Sequence, residues 1–197
     1  MLLFWVLHKI CMSWTESLRD DHFLIEKMMR ALNLTAELLK AGSSITAPLL
    51  EQAIDFAKNF TNVCHHGREE DSIFPVLEEG GMPRKGGPIR RMLFENGMTR
   101  QHAENMEAFA REYLRTDKPE QLIADIQAYT DHVSQHLTKE NFGLFVMADM
   151  MLKAKAEQVS KEPAETEEAK LSELGKARGH YEQLAESYDT GVRKQAQ

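Results

Sequence analysis

Six of the chain's eight histidines fall into one pattern of four parts. His22 stands alone; His65 and Glu69 form H-x-x-x-E, with His66 alongside. His102 stands alone; His136 and Glu140 form a second H-x-x-x-E, with His132 one turn earlier. Imidazole nitrogen and carboxylate oxygen suit first-row transition metals, and a set without thiolates argues against a closed structural zinc cage. On a helix, residues i and i+4 lie one turn apart on the same face, so both side chains reach one centre. An imidazole takes a terminal position on a metal, whereas a carboxylate has two oxygens and can bridge two ions. Two such motifs and two lone histidines supply a set suited to a metal pair with positions left for a small ligand.

The ligands need four helices to carry them. Ser13-Trp14-Thr15-Glu16 is a capping-box pattern. Leu18, His22, Ile25, Met29, Leu32, Ala36 and Leu39 follow at alternating spacings of four and three, a bundle seam that Gly42 ends. A second helix is expected from Thr46, with Pro48 in its first turn and Gly80-Gly81 as its stop. Pro75 is expected to bend or tighten its last turn. After a Gly/Pro-rich loop, Pro88 opens a third helix with Met98, His102, Met106, Phe109 and Tyr113 on one face. Asp117-Lys118-Pro119-Glu120 reads as the start of a fourth. Leu122, Ile126, Tyr129, His132, His136, Glu140, Gly143 and Met147 share its face. No alternating strand pattern occurs. The fold class is therefore all-α, an antiparallel up-down four-helix bundle with a C-terminal helical extension. Three regions are expected: an apolar N-terminal segment (1–12), the bundle (13–152), and a charged linker with a C-terminal helix (153–197).

Helical arithmetic separates neighbouring candidates. Leu50, Ile54, Ala57, Thr61 and Cys64 form the apolar stripe of the second helix, and His65 lies at its edge. His66 falls about 100° further round. This assigns His65 and Glu69 to the site, and His66 and Glu70 to solvent or to a supporting role. Arg68 and Lys139 read as solvated surface charges. His132 is open between two roles, a further ligand or a side chain that orients one. Tyr113, Tyr129 and Cys64 read as core packing. A single histidine on an apolar face is ordinarily a hydrogen-bonded core residue. Four on four seams, two with a carboxylate one turn on, are not explained by packing, because burying so many ionisable groups without a cation is costly.

The bulk properties agree. At 197 residues the chain can bury its own core, and a net charge of −7 argues against nucleic acid as a partner. Two cysteines, Cys11 and Cys64, make no disulfide framework and point to a reducing, cytoplasmic setting. The apolar N-terminus is too short to span a bilayer and lacks signal-peptide features. The termini are candidate surfaces for a second copy or a protein partner.

These motifs resemble the hemerythrin-like family, also called the HHE cation-binding domain. The resemblance rests on His22 after Asp20-Asp21, HHGREEDSIFP at 65–75, His102 in RQHAENM, and HLTKENFGLFVMAD at 136–149, and it covers roughly residues 13–152. It implies a bundle holding two non-haem iron ions, oxo- or hydroxo-bridged. In it His22, His65, His102 and His136 would be terminal ligands, with Glu69 and Glu140 bridging. It also implies binding or sensing of dioxygen, peroxide or nitric oxide. The oxygen-carrying members have H-x-x-x-H on the third helix and one bridging aspartate. Here that helix has His102 alone and both bridges are glutamates, which moves the expectation from carrier to sensor or redox-response protein. Two alternatives stand beside it: a metal-gated protein-interaction module, and an enzyme that processes peroxide or nitric oxide.

Overall fold

A computed structural model describes residues 15–153 and 163–196; the N-terminal segment, the Ser13 cap and most of the linker lie outside them. The described residues form six helices and no strands. Helix α1 is Glu16–Lys40. Helix α2 (residues 47–79) joins the α-helix Ala47–Asp55, two π-helical stretches, Phe56–His66 and Glu69–Ile73, and the α-helical turns Phe74–Glu79. Helix α3 is Gly87–Thr116. Helix α4 (residues 120–153) joins Glu120–Lys139, a π-turn Glu140–Leu144, and Phe145–Lys153. Helices α5 (Pro163–Glu173) and α6 (Arg178–Gln195) complete the chain. No helix among the described residues is long and apolar enough to cross a membrane.

Helices α1 to α4 form the bundle. α1 packs on α4, α4 on α3, and α3 on α2. The α1 seam is buried along its whole length, from Leu18 to Leu39. Helix α2 begins after Thr46 with Pro48 in its first turn. Gly80 ends it, and Gly81 follows at φ 98°, a left-handed conformation that glycine adopts without strain. Asp117 corrects one expectation. It takes the left-handed position that closes α3 instead of capping α4, whose N-cap is Pro119. Thr15 makes no capping bond; its hydroxyl donates to the Asp149 carboxylate on α4, at 3.0 Å to Oδ2.

The C-terminal extension joins the core through its last helix. Helix α6 lies along α1 and α2 and buries Tyr181, Leu184, Ala185, Tyr188 and Val192 in the main apolar core. Tyr188 shares a buried 2.6 Å hydrogen bond with Thr35. Phe56 and Phe60, off the expected stripe of α2, are buried because Tyr181 packs on them. A Cβ at Gly191 would sit 2.6 Å from Leu49, so the missing side chain sets how closely α6 approaches α2.

Two apolar clusters are stacked along the bundle. The larger contains Ile25, Cys64, Ala103 and Leu137; the smaller contains Leu18, Ile73, Met92 and Leu144. Each bundle helix passes from one cluster to the other through a polar layer. His22 lies between Leu18 and Ile25, His65 to Glu69 between Cys64 and Ile73, Asn96 and Thr99 between Met92 and Ala103, and Glu140 between Leu137 and Leu144.

The π-turns re-phase the helices at this layer. A π-turn closes i→i+5 hydrogen bonds, so it holds one residue more than an α-turn, and such turns are frequent at functional sites. After Glu140 the inward positions are Leu144, Phe145 and Ala148 rather than the expected Gly143 and Met147. Phe142, Val146 and Met150 face outward and are exposed.

Candidate metal centre

His22 on α1, His65 on α2 and His136 on α4 are buried, and each is fixed by the same device. Nδ1 of His22 donates to Asn141 Oδ1 at 2.9 Å. Nδ1 of His65 faces Asp21 Oδ2 at 3.3 Å, and Nδ1 of His136 faces Glu95 Oε2 at 3.0 Å. With Nδ1 engaged, the Nε2 edge of each ring turns inward. Holding one ring nitrogen by a protein oxygen sets the tautomer and orientation that a metal ligand needs. The Nε2 atoms of His22 and His65 are 3.2 Å apart. Glu140 lies against all three, with Oε1 2.7 Å from His136 Nε2 and Oε2 3.3 Å from His22 and 3.8 Å from His65.

Three overlapping groups of ligand atoms result: His22, His65 and Glu140; His65, His66 and Glu69; and Glu69, His136 and Glu140. Within each group the atoms lie within 4.8 Å of one another. Glu69 and Glu140 each belong to two groups, the placement a bridging carboxylate would need. Several fully buried polar atoms of the layer have no hydrogen-bond partner: Glu69 Oε1, Asn96 Oδ1 and both ring nitrogens of His66. A buried polar atom without a partner costs about 1–3 kcal/mol. A cation at the common centre satisfies several at once, so the donor set fits a metal.

The electrostatics point the same way. Burial disfavours charge on every imidazole here. At His65 the hydrogen bonds with Asp21 and Glu140 overcome it and hold the pKa at about 10. At His136 burial is likewise overcome, chiefly by Glu140, and the pKa stands at about 9. At His22 and His66 burial prevails and the pKa falls. Glu69, desolvated and beside Glu140, is raised well above the usual carboxylate range. Glu140 is buried as deeply, yet His136, His22 and His65 hold it well below that range. The carboxylates thus demand positive charge at the centre of the layer, and cations can supply it in place of protons.

Of the residues read as ligands, the structure brings His22, His65, Glu69, His136 and Glu140 together and sets His102 apart. His102 is 20% exposed, with Nδ1 3.1 Å from Asp125 Oδ1. The reason is the rotation of α3: Glu95, Asn96, Thr99, Ala103 and Met106 face inward, leaving Met98 and His102 at the margin. His132 faces the Glu95 backbone carbonyl through Nε2 at 3.0 Å, and its ring stacks on that of His136.

Other expectations need correction. His66 is fully buried, its ring centre 5.2 Å from that of His136. The arithmetic that turned it outward assumed a 3.6-residue period, whereas the stretch through His66 is π-helical. Arg68 is also fully buried, with Nη1 2.6 Å from Asp21 Oδ2. Lys139 donates to Glu95 Oε1 at 2.8 Å. Glu70 is half-buried and accepts from Arg100 at 2.5 Å and Asn96 at 3.1 Å. Tyr113, Tyr129 and Cys64 are core residues, as their positions in the sequence imply. Asp21, Glu95, Asn96 and Asn141 also belong to the layer, and no motif marks them in the sequence. The one signal is adjacency, and only for two of them: Asp21 precedes His22 and Asn141 follows Glu140.

A helical bundle crossed by a buried histidine–carboxylate layer defines the class: an all-α protein whose buried layer could hold cations. The model of the hemerythrin HHE cation binding domain matches residues 15–148, and the chain belongs to that family. No curated protein and no solved structure matches the chain.

Proposed function

We propose that the chain is a cytoplasmic non-haem diiron protein that binds or senses a small ligand of the dioxygen, peroxide or nitric-oxide class. The observation that carries this reading is the shared orientation of His22, His65 and His136. Each is fixed through Nδ1, and each turns Nε2 toward the carboxylates of Glu69 and Glu140. These three imidazoles would be terminal ligands and the two glutamates would bridge. The unpartnered nitrogens of His66 favour it over His102 as the fourth imidazole. Two bound irons would supply reversible redox change and coordination positions for the small ligand. Burial sets the kind of ligand: no residue of the set is more than 2% exposed, which excludes a bulky molecule from direct contact with it.

The test is anaerobic reconstitution with ferrous iron, followed by metal analysis and optical spectroscopy after exposure to air. Two irons per chain with absorption characteristic of an oxo-bridged pair support the reading. A folded protein that retains no iron overturns it.

One feature favours a catalytic form of the same reading. The rings of His102, His132 and His136 lie in file, with centres 5.8 and 6.2 Å apart. His102 and His132 are partly exposed, so the file leads from solvent to the buried layer. With water bridging the rings, imidazoles in such a file would carry the protons that peroxide or nitric-oxide processing consumes. Turnover assays with either compound separate this from binding alone. His132→Phe should slow turnover without releasing iron.

A further inference from the structure

The outer side of the polar layer is closed by α5 and α6, which lie beyond the segment matched to the family. The connection runs through Asp21, fully buried on α1. Its Oδ2 faces His65 Nδ1 and takes Arg68 Nη1; its Oδ1 takes Arg178 Nη1 of α6 at 2.5 Å. Arg178 also donates to Glu167 Oε1 of α5 at 2.8 Å, and the other Glu167 oxygen lies 3.5 Å from Arg68. Asp21, Arg68, Glu167 and Arg178 thus close a ring of charges that ties together α1, α2, α5 and α6. His65 hangs from the buried corner of that ring.

The same two helices grip α2 at and next to its ligand-bearing stretch. Lys170 of α5 pairs with Asp71 at 2.6 Å. Its aliphatic chain crosses Gly67, where a Cβ would lie 3.1 Å from Lys170 Cε. Tyr181 of α6 covers Phe60, less than two turns before His65. Buried ion pairs give little net stability, because desolvation offsets their attraction. What this ring provides is position: with both Asp21 oxygens held by guanidinium groups, the carboxylate can hold the His65 imidazole at one angle.

We propose that residues 163–195 form a clasp on the metal centre. In it Arg178 is a positioning residue that acts through Asp21 to keep His65 Nε2 facing inward. This rests on the reading of the polar layer as a metal centre. By linkage, if docking of α5 and α6 tightens cation binding, the cation tightens their docking by the same factor. The C-terminal helices then report whether the centre is loaded.

The test uses the full chain reconstituted with ferrous iron. Three variants are compared with it: Arg178→Gln, Arg178→Lys, and Lys194→Gln as a control for charge loss on the exposed face of α6. The readouts are iron per chain, the rate of iron loss to a ferrous chelator, and amide hydrogen exchange over residues 178–195 with and without iron. Arg178→Gln should bind the same number of irons and lose them on the order of tenfold faster, the effect expected when the partner of a ligating histidine is disturbed. Arg178→Lys keeps the charge but not the fork, and should fall between; Lys194→Gln should match the unmodified chain. Iron should slow exchange in α6 of the unmodified chain and leave it unchanged in Arg178→Gln. Iron loss at the unmodified rate in both Arg178 variants, with α6 exchange indifferent to iron, overturns the clasp and leaves the centre standing. An unmodified chain that takes up no iron overturns the centre and the clasp together.

Discussion

Nε2 of His22 and Nε2 of His65 face each other at 3.2 Å across the interface of α1 and α2. Both Nδ1 atoms are already engaged, by Asn141 and Asp21. Without a cation, the raised pKa of His65 and the lowered pKa of His22 allow one proton to be shared, His65 donating to His22. A metal ion is the other species that can satisfy two converging imidazoles, and the neighbouring Glu140 oxygen completes a site of mixed nitrogen and oxygen donors.

His66→Ala should lower iron stoichiometry or affinity more than His102→Ala. The first removes a buried imidazole with both nitrogens unpartnered; the second removes a partly exposed one paired with Asp125. Iron per chain after gel filtration decides the order. Equal retention by His66→Ala, with loss in His102→Ala, would place the third helix's histidine at the centre after all.

Asn141→Ala, Glu95→Gln and Asp21→Asn disturb the oxygens that fix His22, His136 and His65 without removing a ligand. Each should weaken iron binding about 10- to 100-fold while leaving stoichiometry at saturation unchanged. Competition titration against a chelator of known affinity measures it.

Chelation should lower thermal stability. The proposed ligands come from α1, α2 and α4, so an ion adds a link between helices already joined by packing and by pairs such as Asp21–Arg68 and His22–Asn141. Free metal at a hundred times its dissociation constant adds about 2.7 kcal/mol. For a chain of this size that corresponds to a shift in Tm of roughly 5–10 °C. Calorimetry before and after chelation checks it.

Tyr188→Phe removes the buried hydrogen bond with Thr35 and should cost about 1 kcal/mol. Tyr188→Ala also empties part of the core and should cost about 3–5 kcal/mol. Urea unfolding measures both. A negligible effect of Tyr188→Ala would mean that α6 does not belong to the cooperative unit.

Glu95 gives a pH dependence of definite sign. Burial alone would raise its pKa, but hydrogen bonds from Lys139, His136 and Arg91 bring it down to about 2. A carboxylate whose folded pKa is depressed stabilises the fold above its unfolded pKa, and that stability is lost as pH falls from about 4.5 towards 2. Arg91 is exposed and Lys139 partly so, and solvent screening reduces the effect to about 1–2 kcal/mol. Acid unfolding of Glu95→Gln should therefore be shallower over that interval.

The bundle was legible because its signals are local. The α1 seam, Pro48 and Pro88 at helix starts and the glycines after α2 follow from periodicity and backbone restriction, and the structure has them where the sequence puts them. The pairing of His65 with Glu69 and of His136 with Glu140 was legible for the same reason. His66 and the inward face of α4 after Glu140 were not, because a 3.6-residue ruler cannot register a π-turn. Arg68, Asp21 and Glu95 were not legible for a second reason. Their burial is compensated by partners 41 to 157 residues away in the chain, and no local pattern encodes such distances. The position of α6 in the core falls in the same category, since an amphipathic stripe declares that it needs a partner and not which one.

The π-turn at Glu140 works like the notch of a key. Leu144, Phe145 and Ala148 are seated in the smaller apolar cluster only while the extra residue is held in that turn. Rewinding it to α geometry would swing all three away by about 100°, one residue's rotation. Their contacts with Leu18, Ile73, Phe74 and Met92 therefore act as wards that keep the lock from turning, and they hold Glu140 in its pose from a distance. The same notch sets which way Phe142, Val146 and Met150 look. The outer surface of this half-helix and the carboxylate at the centre are cut from one blank, and neither can be re-phased without the other.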